Sequence, residues 1–174
     1  SKDNKFKVMI TDYAWPSLNV ENSVLSPIAN LVPAHDRSED TFIELARDAD
    51  AILFNWAQVT EEVVKSAEQC LILCRYGVGI DNAPVDLATK LGILVTNIPD
   101  YCIDEVTDHA MGLLISFNRR ISKFDGLVKE GRASEMDLSL PVLRLRDHKL
   151  GLIGIGRIGK LMTEKAQAFG LEVI

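Results

Sequence analysis

The residues best placed to do chemistry are the glycines of Gly154-x-Gly156-x-x-Gly159. An apolar run, Leu150 to Ile155, enters this motif and a helical pattern leaves it. That order suits a dinucleotide. One glycine allows a tight turn, one lets the backbone approach a pyrophosphate, and one lets helix and strand pack closely. The pyrophosphate would rest on the helix N-terminus, where unpaired N–H groups and the helix dipole favour negative charge. A glycine-rich turn that only packs is the plain alternative. An acidic partner for the adenosine ribose is expected about 20 residues further on. The sequence stops at Ile174, short of that point, and so reads as part of a larger, truncated fold.

A second glycine cluster, Arg75-Tyr76-Gly77-Val78-Gly79-Ile80-Asp81-Asn82, directly follows an apolar run of strand length. Ligands of open α/β sheets bind beyond the carboxyl ends of the strands. Successive N–H groups around Gly77 and Gly79 can form an anion nest there, suited to a small carboxylate. The alternative is an ordinary turn with glycines at positive φ. Asn55 and Trp56 end a neighbouring apolar run and are candidates to line the same crevice.

The elements needed to hold these clusters can be read from the pattern. Phe6 to Thr11, Leu31 to Ala34, Ala51 to Phe54, Leu71 to Arg75 and Ile93 to Thr96 read as strands. Ser38 can cap a helix through Leu45, Thr60 can cap Glu61 to Ala67, and Gly92 can end a helix that starts near Pro84. Alternation of this kind predicts a flavodoxin-like open parallel sheet covered on both faces. After Pro99 the rhythm changes. Val106, Ala110, Leu113, Leu114 and Phe117 form one apolar stripe on a helix from Asp104 to Arg120, expected to be buried. Gly131 to Arg146 reads as an irregular connection, and Pro99 to Asp104 as a hinge. The expected domains are 1–99, which binds substrate, and 100–174, an interdomain helix plus the first β-α-β portion of a Rossmann domain.

Composition narrows the function. Acidic residues outnumber basic ones, 25 to 19, which argues against a nucleic-acid partner. No apolar run approaches the roughly 18 residues of a membrane span. Cys70, Cys74 and Cys102 suit neither a disulfide framework nor a metal site, and read as thiols of a reducing, cytoplasmic compartment.

Taken in order, Arg75 to Asn82, Leu87 to Gly92, Val95 to Pro99, Asp104 to Ala110 and Gly154 to Gly159 resemble the D-isomer-specific 2-hydroxy acid dehydrogenases. Pro99-Asp100-Tyr101-Cys102 and Glu105 to His109 look most like the C-terminal binding protein branch. The resemblance implies hydride transfer between NAD, with NADP not excluded, and a small D-2-hydroxy or 2-keto acid. It places the acid at Asn55, Gly77, Val78 and Gly79, and the cofactor at Val78, Val106, Gly154, Gly156, Arg157, Ile158 and Gly159. It also implies a homodimer.

No catalytic residue is expected in this chain. The family's Arg, acidic residue and His follow the nucleotide motif at a distance, and His35, His109 and His148 do not stand where the family has them. Family members acting on phosphorylated acids carry an Arg where this chain has Asn55 and Trp56, so a phosphorylated substrate is disfavoured. An NAD-sensing corepressor-type protein, or a non-catalytic interaction fragment, would share the same motifs.

Overall fold

The computed structural model describes residues 5–135 and 144–174. The chain divides into two compact units, Ser1–Asp100 and Tyr101–Ile174.

The first unit alternates strand and helix: β1 (Phe6–Ile10), α1 (Asn19–Leu25), β2 (Ala29–Pro33), α2 (Glu39–Ala46), β3 (Ala51–Phe54), α3 (Glu61–Ser66), β4 (Ile72–Arg75), α4 (Val85–Lys90) and β5 (Leu94–Thr96). Its five strands form one sheet in the order β2-β1-β3-β4-β5. All pairings are parallel, in the flavodoxin-like order. The chain leaves β1 toward one edge and then returns past it to β3, so the carboxyl ends of β1 and β3 flank the switch point where such folds bind ligands.

Local chemistry fixes the helix ends. Ser38 accepts the Thr41 N–H at 3.2 Å and Thr60 accepts that of Val63 at 3.4 Å, each taking a donor that the helix leaves unpaired. Gly92 closes the α4 turn at a φ of +76°, a conformation that disfavours a side chain.

Register places Met9, Ile52 and Leu73 side by side on one face of the sheet. They pack with Phe42, Ala46, Val63, Val64 and Ala88 from α2, α3 and α4. The opposite face is covered only in part: Val8, Ile10 and Ala29 are buried there, whereas Phe6 and Leu94 stay exposed and α1 buries none of its residues. α1 itself is absent from the sequence reading: at seven residues, with Val20, Val24 and Leu25 as its apolar positions, it is too short to show a period.

The second unit contains α5 (Ile103–Arg119), α6 (Ile121–Lys129), β6 (Lys149–Leu150), α7 (Arg157–Ala168) and β7 (Glu172–Val173), with single 3-10 turns at Ala133–Glu135 and Leu145–Asp147. Arg120, at a φ of +55°, turns the chain from α5 into α6, a helix that the sequence reading did not anticipate. Part of the expected connection Gly131 to Arg146, including Pro141, lies outside the described residues.

β6 and β7 pair in parallel, and the ladder continues as Ile174 donates to the Leu150 carbonyl and Leu152 to that of Ile174, both at 2.9 Å. The strand expected through Ile155 therefore stops pairing at Leu152. Ile153 and Ile155 are exposed.

The stripe on α5 is displaced from its expected position. Thr107 and Met111 are buried, with Ala110 and Leu114 partly so, whereas Val106, Leu113 and Phe117 are exposed. Packing against α7 selects the face. Met111 meets Met162 and Ala166, and Lys165 Nζ donates to Thr107 Oγ1 at 2.7 Å and to Asp108 Oδ1 at 2.6 Å.

Candidate functional site

In the first unit, the carboxyl end of the sheet is organised by a buried carboxylate. Asp12, just past β1, accepts the N–H groups of Asn55, Trp56 and Ala57 at 3.0, 2.9 and 3.2 Å and the Thr11 hydroxyl at 2.9 Å. Burial by itself would raise its pKa. The N–H groups of Trp56 and Asn55, the Thr11 hydroxyl and the Ala57 N–H outweigh burial and hold the group below its usual range. Arg37, brought in from beyond β2, lies 3.7 Å from the same carboxylate. Asp12 and Arg37 were not singled out by sequence reasoning. Neither carries a motif, and only the parallel pairing of β1 with β3 brings Asp12 under the loop.

The opposite side of that loop is held by Asn82. Its side-chain amide donates to the carbonyls of Asn55 and Ala57 at 3.0 and 2.8 Å, while its oxygen accepts from Arg75 Nη1. Asn55 is thus buried in a fixed loop, and the exposed residue facing solvent is Trp56. Beside them, Tyr76 packs edge-on against Trp15 with centroids 4.8 Å apart. Burial, with Glu21 nearby, pushes the Tyr76 hydroxyl well above its ordinary range and keeps it protonated.

Gly77, Val78 and Gly79 form the bend after β4. Their three carbonyls are all engaged: Gly77 O accepts from Ile98 N at 3.0 Å, Val78 O from Asn97 Nδ2 at 2.7 Å, and Gly79 O from Arg75 Nη1 at 2.8 Å. Among the described residues, no acceptor takes the N–H of Gly77, Val78 or Gly79. This is the asymmetry an anion nest needs. Neither glycine has a positive φ, so the ordinary-turn alternative is not what selects them. A Cβ on Gly77 would lie 3.3 Å from Arg75 Nε, and one on Gly79 would lie 2.9 Å from Asp81 Oδ1. At either position a side chain would have to displace the tip of a neighbouring one, Arg75 or Asp81.

In the second unit, the three motif glycines have three different geometries. Gly154 turns at a φ of +98°, which penalises any side chain. A Cβ on Gly159 would lie 2.4 Å from the Gly154 carbonyl oxygen, so this position serves close packing of turn and helix. Gly156, the N-cap of α7, would carry a Cβ with nothing within 4 Å, leaving its face open to a ligand. Arg157 and Ile158 open the helix, and Val106 is exposed in the first turn of α5.

Elsewhere, His109 is exposed on α5, His35 lies 3.5 Å from Asp36, and His148 keeps its Nε2 buried without a hydrogen bond. Among the described residues, no group of three or more His, Cys, Asp or Glu could hold a metal ion, and no helix is long and apolar enough to cross a membrane.

Residues 9–172 match the model of the D-isomer specific 2-hydroxyacid dehydrogenase catalytic domain. The chain belongs to this family. Among its relatives, D-3-phosphoglycerate dehydrogenase of Methanocaldococcus jannaschii is 31% identical over 97% of this chain and 31% of its own length. Glyoxylate reductase of Thermococcus litoralis is 33% identical over 76% of this chain and 42% of its own.

The crystal structure of an NADPH-dependent glyoxylate/hydroxypyruvate reductase from Sinorhizobium meliloti, in complex with NADP and malonate, superposes with a TM-score of 0.79. Its identity is 26%, over 98% of this 2-hydroxyacid dehydrogenase family chain and 52% of that one. D-lactate dehydrogenase of Aquifex aeolicus, at 24% identity and a TM-score of 0.83 over 96% of this chain and 50% of its own, shares the fold. The chain thus spans from about a third to about half the length of these relatives.

Proposed function

We propose that this chain supplies the acid-holding and dinucleotide-holding parts of an oxidoreductase that moves a hydride between NAD, or NADP, and a small D-2-hydroxy acid or its 2-keto partner. The observation that carries this reading is the division of labour among Gly154, Gly156 and Gly159: a strained turn, an open face and a close contact. These residues fit a dinucleotide. Gly154 to Gly159 would hold the pyrophosphate at the start of α7, and Val106 of the same unit would serve the cofactor as well, whose nicotinamide supplies the hydride-accepting carbon when bound.

The nest at Gly77 to Gly79 would orient the acid by its carboxylate. That the Sinorhizobium relative is solved in complex with NADP and malonate supports a dinucleotide and a small carboxylic acid as the ligand classes. Asn55 and Trp56, at the strand end where phosphate-using members carry an Arg, support an unphosphorylated acid. The Pro99 to Cys102 motif supports placement near the C-terminal binding protein branch. Free Cys70, Cys74 and Cys102 support a cytoplasmic setting. Exposed Leu113 and Phe117 on α5 support a homodimer.

The test is amide-resolved NMR titration of the chain with NAD, NADP and oxalate, which mimics a planar 2-keto acid. Dinucleotide is expected to move the amides of residues 154–159, and oxalate those of Val78 and Gly79. Oxalate shifts confined to other residues would refute the acid site.

A further inference from the structure

The bend at Gly77 to Gly79 is held by residues on both sides of it, Arg75 before and Asn97 and Ile98 after. In a planar trans peptide the N–H of one residue points opposite to the carbonyl of the residue before it, and this chain has no cis bond among the described residues. Anchoring a carbonyl therefore aims the next N–H. Ile98 N fixes Gly77 O and so aims Val78 N–H, whereas the Asn97 side chain fixes Val78 O and so aims Gly79 N–H. Arg75, holding Gly79 O, aims Ile80 N–H in the same way.

Arg75 is committed to this task. Its guanidinium lies against Gly77, where a Cβ would come within 3.3 Å of Nε and 3.4 Å of Nη2. Nη1 is shared between Gly79 O and Asn82 Oδ1, and Nε is buried without a hydrogen bond. A buried, unpaired donor on a charged group disfavours folding. Retaining one here places a positive charge behind the N–H groups that would meet an anion.

We infer that Asn97 and Arg75 are positioning residues of the acid site: each holds a carbonyl of the Val78–Gly79 bend on its inner side so that the following N–H is presented to the carboxylate. The inference rests on the acid-binding reading above. Asn97 acts by geometry alone, and Arg75 by geometry and charge together.

The experiment is oxalate titration of the full chain and of Asn97→Ala, Asn97→Gln, Arg75→Met and Arg75→Lys, followed by amide shifts of Val78, Gly79 and Ile80. Thermal melts report folding. Asn97 is exposed, so its variants stay folded. Asn97→Ala is expected to weaken oxalate binding about tenfold, in line with impairing one hydrogen bond to a charged group. It should abolish the Gly79 response while leaving that of Val78, and Asn97→Gln should restore part of the affinity. Arg75→Met is expected to lose the Ile80 response and the salt dependence of binding, with Arg75→Lys retaining the latter.

Wild-type affinity and unchanged Gly79 and Ile80 responses in Asn97→Ala and Arg75→Met would overturn the positioning roles and leave the nest standing. No response of Val78 or Gly79 in the wild type would overturn the acid site and this inference with it.

Discussion

Alanine at each of Gly154, Gly156 and Gly159 separates the fold of the dinucleotide turn from its ligand function. At Gly159 the new Cβ would sit 2.4 Å from a backbone oxygen. Ordinary carbon–oxygen contacts fall at about 3.3–3.6 Å, so helix and turn must part by roughly 1 Å. Because the obstacle is backbone, no rotamer relieves it, and the cost is about 3 kcal/mol, the upper end of overpacking effects. For a chain of this size that lowers Tm by roughly 6–12 °C.

At Gly154, a φ of +98° makes alanine strained, by about 1–3 kcal/mol. At Gly156 the backbone is extended and nothing lies within 4 Å, so only the N-cap preference is lost, about 0.5–1 kcal/mol. Gly156→Ala should thus melt within a few degrees of wild type yet lose the NAD-dependent shifts of residues 154–159, because the methyl occupies the open face. Differential scanning fluorimetry and NMR titration with NAD are the assays. A Gly159→Ala protein as stable as wild type would refute the packing argument, and undiminished NAD shifts in Gly156→Ala would refute the ligand face.

Asp12→Ala leaves the N–H groups of Asn55 and Ala57 buried and unpaired, and should lower stability in urea by about 3 kcal/mol, with Asp12→Asn milder. Because the native pKa of Asp12 is lowered, its contribution is fully present above the unfolded value of about 3.9 and is lost as pH falls through the lower native value. Urea midpoints measured from pH 6 downward should show that acid-side loss shrinking in Asp12→Asn. Lys165→Met should lower Tm, and a double-mutant cycle with Asp108→Asn should show coupling, since both changes break the 2.6 Å pair joining α7 to α5. The 174-residue chain, purified free of host enzymes, should show no NADH oxidation with glyoxylate or pyruvate, and measurable turnover would place catalysis within these residues.

Both glycine clusters were legible in the sequence because each requirement there is local. A turn at positive φ, a backbone approach and a helix start act over a few residues, so residue type and spacing record them. The caps at Ser38 and Thr60, and the alternation of strand with helix that predicts a parallel sheet, follow from equally short-range signals. Tertiary structure decided the rest. Asp12 reaches the Asn55–Ala57 loop across 43 to 45 residues, and Asn82 reaches it from the other side, so neither can be read from its neighbours. Apolar spacing on α5 announced a helix, but a wheel with apolar residues at 106, 110, 111, 113, 114 and 117 leaves its buried face undetermined. Contact with α7 turned Thr107 and Met111 inward and left Phe117 exposed. Backbone N–H groups are common to every residue, whereas the bonds from Ile98 N to Gly77 O and from Asn97 Nδ2 to Val78 O, which orient this bend, span about 20 residues and form only in the folded chain.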